Sequence, residues 1–179
     1  LDLSHSVYFN DVPNSIYLCI NHPNGDIALA VSCMEICEKL TPDVIASQME
    51  FLDSCPYVVL DANLRADTLA YIADHCHSAL CADAVSAKKA DRLRPILHRL
   101  TFLKVNRAEA EVLVGFPVND FESVSKASAL LHAQGIPVVA ITMGSGGAFL
   151  SNGDESYVLP PMAHDGVNYS GCGDAFFAG

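Results

Sequence analysis

Four short apolar runs constrain the fold of this chain more than any other feature. They are Tyr57–Leu60, Ala79–Ala82, Thr101–Val105 and Pro137–Thr142. Each ends in polar or glycine-rich residues, and the first three are followed by stretches of helical period. An apolar run with little polar alternation suits a strand covered on both faces, the habit of parallel sheets. Parallel neighbours need a long crossover, usually a helix. The alternation therefore predicts an α/β fold with a mainly parallel sheet. At 51% apolar residues, the chain can cover such a sheet.

Residues Ile16–Ile20 and Ile27–Val31 read as two strands around His22-Pro23-Asn24-Gly25-Asp26, a β-hairpin within 15–34. Thr41-Pro42-Asp43 is a helix start, and Val44, Ile45, Met49 and Leu52 give the helix one apolar face. Tyr57–Leu60 is expected to be a buried strand delivering Asp61-Ala62-Asn63 at its carboxyl end. A helix over 66–75 and a strand Ala79–Ala82 ending in Asp83 follow. Ser86 is expected to cap a helix to about Leu100, kinked at Pro95. Strand Thr101–Val105 opens a helix at Asn106 that Gly115 closes. A helix over about 120–134, strand Pro137–Thr142, and a hairpin of Ala148–Ser151 with Ser156–Leu159 complete the pattern. No linker or repeat divides the chain, so 1–179 is expected to be one domain, with 41–179 its α/β core.

A net charge of −11 and a pI near 4.8 argue against binding nucleic acid or an anionic membrane through bulk charge. No apolar run approaches the ~20 residues of a membrane span. The seven cysteines are irregularly spaced, as expected of reduced thiols in a cytoplasmic protein. His75-Cys76-His77 with Cys81 is the one metal-like cluster, but it lacks the paired Cys-x-x-Cys spacing of zinc sites.

Three stretches can carry chemistry. In Ser170-Gly171-Cys172-Gly173-Asp174 the glycines allow a tight turn that exposes successive N–H groups, and a helix starting there would seat an anion. Asp174 would repel a phosphate but suits a base that takes a proton from an attacking hydroxyl. The same residues also describe a plain turn before a helix. Asn106 and Glu109 stand at a strand-to-helix junction, where amide and carboxylate oxygens suit Mg²⁺ or simply cap the helix. Thr142-Met143-Gly144-Ser145-Gly146-Gly147 is either a phosphate-approaching loop or a glycine-rich turn. It is not a dinucleotide fingerprint, because Phe149 stands where that pattern needs glycine. Asp61, Asn63 and Asp83 are polar groups at strand ends, where open α/β sheets bind ligands. Lys104 is compatible with a phosphate contact or an exposed strand face.

Taken in order, Asp61-Ala62-Asn63, Asn106–Glu109, Thr142–Gly147 and Gly171–Asp174 resemble the motifs of the PfkB-type, or ribokinase-like, carbohydrate and nucleoside kinases. Gly171, Gly173 and Asp174 match the family's Gly-Ala-Gly-Asp signature, with Cys172 in place of alanine. Thr142, Gly144 and Gly147 match its Thr-x-Gly-x-x-Gly loop. The resemblance implies a ribokinase-like three-layer sandwich with a small β-hairpin lid. It implies ATP-dependent phosphorylation of a primary hydroxyl on a small nucleoside or sugar. Asp174 would be the base, and the amides of Gly171, Cys172 and Gly173 would stabilise the transferring phosphoryl group. Thr142, Gly144, Gly147 and Asn106 would contact ATP, Glu109 and Asn106 would hold Mg²⁺, and Asp61 and Asn63 would face the substrate. The lid hairpin would double as a homodimer clasp. Leu60–Leu64 and Asp83–Ala90 look most like the pseudouridine-kinase branch.

Asn168 and Tyr169 depart from the Asp-Thr that opens the family signature. That departure leaves a second reading open, a ribokinase-like protein that binds a nucleotide or a partner without catalysis. By comparison with the family pattern, the chain is expected to be an internal stretch of a longer kinase domain.

Overall fold

The computed structural model describes residues 2–22, 27–161 and 170–179, apart from the side chain of Ile27. The expected turn at Pro23–Asp26 and the Asn168-Tyr169 departure lie outside these residues. The chain divides into two compact units, Leu1–Lys39 with Met162–Gly179, and Leu40–Pro161.

In the first unit, β1 (Ile16–Asn21) and β2 (Ile27–Cys33) pair antiparallel, as expected of two apolar runs around a turn-rich segment. The register sets Leu18 opposite Val31 and Ile20 opposite Leu29, and all four side chains are exposed. A 3₁₀ turn covers Glu35–Lys39, and Lys39 pairs with Asp11 at 2.5 Å.

The second unit opens with α1 (Pro42–Ala46) and α2 (Met49–Ser54), where the sequence suggests a single helix. The Ser47 hydroxyl donates to the Val44 carbonyl at 2.7 Å, and the Gln48 N–H takes the Ile45 carbonyl three residues back. These short-range bonds tighten the chain and interrupt the i→i+4 ladder. Strand β3 (Tyr57–Asp61) leads to α3 (Ala66–His75), which has the predicted bounds. Leu69, Ile72 and Ala73 form the buried stripe of α3, and Asp67 lies in its first turn where a carboxylate favours the helix dipole. Strand β4 (Ala79–Asp83) follows.

The helix expected over 86–100 is instead a single turn, α4 (Ala87–Ala90), running into a 3₁₀ segment Asp91–Arg99. Pro95 lacks the N–H that an α-helix would direct to the Asp91 carbonyl, so it cannot continue the ladder. Ser86 occupies the cap position, but its side chain makes no capping bond. Strand β5 (Leu100–Asn106), α5 (Arg107–Val114), α6 (Phe121–Ala133) and β6 (Val138–Thr142) come next. Gly115 closes α5 at φ 79, and Asp120 with Ser123 forms a capping box on α6. The predicted hairpin is β7 (Ala148–Ser151) with β8 (Ser156–Leu159).

The six strands lie in chain order, β3-β4-β5-β6-β7-β8. The first four are mutually parallel, β7 pairs antiparallel with β6, and β8 pairs antiparallel with β7. This is the α/β architecture with a mainly parallel sheet that the alternation predicts. Every strand residue of the main apolar cluster, including Leu60, Leu80, Leu103, Val139, Ile141 and Phe149, shares one sheet face. Burying each such side chain fully stabilises the fold by about 1.5–3 kcal/mol. The opposite face carries Tyr57 and Val59, each 65% exposed, so β3 is not the buried strand its composition suggests. Among the described strands it ends the row, and its odd-numbered residues point away from the helical cluster.

Candidate active site

Open parallel sheets place ligands at the carboxyl ends of their strands. Four strand ends are aligned here by register: Asp61 is opposite Asp83, Asp83 opposite Lys104, and Asn106 opposite Thr142.

At the end of β5, Asn106 and Glu109 form a full capping box. The Glu109 N–H donates to Asn106 Oδ1 at 3.0 Å. The Asn106 backbone N–H donates to Glu109 Oε2 at 2.8 Å, and its Nδ2 to Oε1 at 2.7 Å. Glu109 is only 1% exposed. Burial pushes its carboxyl above the usual glutamate range, against the lowering effect of the Asn106 N–H and of nearby Lys104. Lys104 is neither exposed nor free. Its Nζ donates to Asp83 Oδ2 at 2.8 Å in a buried pair.

The loop after β6 is a 3₁₀ turn, Gly144–Gly146. The Met143 N–H takes the Gly147 carbonyl at 2.8 Å, and Arg107 of α5 donates to the Met143 carbonyl at 3.0 Å. Arg107 thereby ties the loop to the helix that carries Glu109. Gly147 has φ 85, and a Cβ there would come within 2.0 Å of the Leu159 carbonyl oxygen. Gly144, at φ 58, has open space where its Cβ would be. One glycine is thus demanded by packing and the other leaves room beside the backbone. The Thr142 hydroxyl lies 3.5 Å from the Val105 carbonyl.

At the end of β3, Asp61 accepts the Asn63 N–H at 2.8 Å and Asn63 Nδ2 at 2.9 Å. Lys89 donates to Asn63 Oδ1 at 2.5 Å, and Arg92 caps the Asn63 and Leu64 carbonyls. Neither cation stood out in the sequence, because α4 and the 3₁₀ segment bring them back to β3 from more than 25 residues away.

Asp174, Gly171, Cys172 and Gly173 belong to the first unit. Gly171 adopts φ 81 and precedes α7 (Cys172–Ala178), with Asp174 exposed in its first turn. The structure therefore joins Asn106, Glu109, Thr142 and the Gly144–Gly147 loop, separately joins Asp61 with Asn63, and carries Gly171–Asp174 in the other unit.

Glu109 and Asn106 fit Mg²⁺ in donor chemistry. Each carboxylate oxygen accepts one hydrogen bond and keeps a second lone pair. Among the described residues no group of three or more His, Cys, Asp or Glu side chains could hold a metal. One carboxylate plus water and phosphate oxygens is a usual Mg²⁺ arrangement. The His75–Cys81 stretch is dispersed: His75 bonds the Tyr71 carbonyl, His77 pairs with Asp53 at 3.0 Å, and Cys76 and Cys81 are buried. Among the described residues no helix is long and apolar enough to cross a membrane.

The pfkB family carbohydrate kinase pattern matches residues 1–179. Pseudouridine kinase of Escherichia coli (strain K12) is 32% identical over 167 residues, covering 92% of this chain and 53% of that protein. A carbohydrate kinase from Agrobacterium tumefaciens superposes with a TM-score of 0.69 at 28% identity, covering 86% of this chain and 49% of that one. Arabidopsis thaliana ribokinase, solved with ribose and ATP, gives 0.76 at 20% identity, over 94% and 55%. The chain spans about half the length of these relatives. It belongs to the pfkB family of carbohydrate kinases.

Proposed function

We propose that this pfkB-family chain is part of an ATP-dependent kinase that phosphorylates the 5′-hydroxyl of pseudouridine. The observation that carries the proposal is the hydrogen-bonded pair of Asn106 and the buried Glu109, set in register beside the Thr142–Gly147 loop at the carboxyl ends of parallel strands. The likeness to pseudouridine kinase supports the choice of acceptor.

In this reading the glycine loop takes the ATP phosphates against its backbone, with Thr142, Gly144, Gly147 and Asn106 as the contacts. Glu109 and Asn106 hold Mg²⁺, which when bound neutralises charge on the phosphates. Asp174 accepts the proton of the acceptor hydroxyl. The hydroxyl oxygen bonds to the γ-phosphorus as the bond to the bridging oxygen breaks, leaving ADP. The amides of Gly171, Cys172 and Gly173 stabilise charge on the group in transit. Asp61 and Asn63, held rigid by Lys89 and Arg92, face the acceptor. The β1–β2 hairpin excludes water, a competing acceptor, and its aliphatic side chains Leu18, Ile20, Leu29 and Val31 pair with a second copy. Residues 1–179 act within one domain, in the cytoplasm, where the seven cysteines stay reduced.

The test is ADP release from Mg·ATP by the full-length protein containing this chain, with pseudouridine, uridine, ribose and fructose supplied separately. Release with pseudouridine alone supports the reading. Release with another acceptor keeps the kinase and discards the substrate. Nucleotide binding with no phosphorylated product from any of the four favours a non-catalytic role.

A further inference from the structure

Val85 has φ +62, the one positive φ outside glycine among the described residues. A β-branched side chain disfavours that conformation strongly, and glycine would adopt it without penalty. The local structure forces it. Asp83 Oδ1 accepts the Val85 N–H at 2.9 Å, while Asp83 Oδ2 is held by Lys104 in the buried pair. Ala84 is fully buried, and the Ser86 N–H closes on the Ala84 carbonyl at 2.6 Å. The strain does not serve the core, because Val85 is 44% exposed.

Its place in the sheet is informative. Val85 lies two residues past the end of β4, and β4 lies between β3, which ends in Asp61, and β5, which ends in Asn106. An exposed isopropyl group therefore stands in a row of strand ends that is otherwise polar. The glycine loop lies beyond β5, at the end of β6. With the nucleotide there, the ends of β3 and β4 are left to the acceptor. Strained backbone that the surroundings over-determine is typical of sites that hold a ligand.

We infer that Val85 is a specificity-determining residue of the acceptor subsite, presenting its isopropyl group to the apolar face of the acceptor's ring. The inference rests on the kinase reading above. The test compares Val85→Gly with wild type in the full-length protein, using whichever of the four acceptors gives the fastest turnover. Glycine removes the strain and the side chain together. The expected result is an unchanged or higher Tm, a KM for the acceptor raised about 10-fold, and a KM for ATP within twofold of wild type. Val85→Asn, which also tolerates this backbone conformation, should raise the acceptor KM while leaving Tm close to wild type. An acceptor KM within twofold of wild type in both variants overturns the inference and leaves the kinase reading standing. So does an equal rise in both KM values. A wild-type protein that turns over none of the four acceptors removes the kinase reading, and this inference with it.

Discussion

Asn106 and Glu109 close on each other through three hydrogen bonds, so the helix cap and the candidate metal ligand are the same pair of side chains. A group that caps a helix is already fixed in direction before any ligand arrives. The cost is a carboxylate kept away from water.

That cost has a pH signature. Burial raises the folded-state pKa of Glu109 above its ordinary value of 4.5, so the folded protein holds this proton more tightly than the unfolded chain. The contribution of Glu109 to stability is therefore largest below 4.5 and is lost as pH rises through the raised value. Glu109→Gln should remove this dependence and leave one of the two Asn106 donors, the backbone N–H or Nδ2, facing an amide NH₂ in place of an acceptor, costing about 1–3 kcal/mol. Thermal melts at pH 5 and pH 8 should show the deficit of the variant shrinking toward pH 8. A constant deficit would mean that Glu109 does not titrate in that window.

Asp174→Asn in the full-length protein should lower kcat by about 10²–10⁴-fold, the range for loss of a general base. ATP affinity should change little. Single-turnover phosphorylation and nucleotide titration separate the two effects, and full activity would remove Asp174 from the base role.

The two loop glycines should respond differently to alanine. Gly147→Ala drives a Cβ into the Leu159 carbonyl, and should lower stability by more than the ~1–2 kcal/mol that a left-handed alanine costs by itself. Gly144→Ala, at φ 58, meets no such clash and should lose only that backbone cost, together with a raised KM for ATP. Melting curves beside ATP kinetics test the contrast. Equal Tm losses would refute it.

Lys104→Met leaves Asp83 buried without its cation and should destabilise the protein by about 3–5 kcal/mol. The double variant Lys104→Met with Asp83→Asn should recover a large part of that loss. Chemical denaturation of the single and double variants measures the coupling. Additive losses would show that the pair does not act as a unit.

The sequence was most legible where one stretch of chain decides the outcome. The bounds of α3, the Gly115 cap and the β7–β8 hairpin, which turns at Asn152-Gly153, depend on local period and local turn chemistry, and all three appear where expected. The 41–54 region reads as one helix and the 86–100 region as a helix kinked at Pro95. Ser47 and Pro95 act on backbone hydrogen bonds, and how far each interrupts the ladder is not written in the apolar spacing. Lys104 was ambiguous because its partner is 21 residues away, on another strand. The exposure of Tyr57 and Val59 depends on what lies beside and above β3, which is a property of the sheet. Asn106, Glu109 and Thr142 could be nominated from motif order. Val85 could not, because its backbone is set by contacts that assemble only on folding.

The Leu159 carbonyl fills the space that a side chain on Gly147 would need. The glycine-rich loop is thus moulded against the backbone of a strand twelve residues downstream. It is not a portable motif. Grafting Thr142–Gly147 onto another scaffold would transfer its composition without its shape, and the smallest transplantable piece is the loop together with β7 and β8. The same dependence makes the Asn152-Gly153 turn a remote handle on the loop, since an insertion there that shifts β8 must also reshape it.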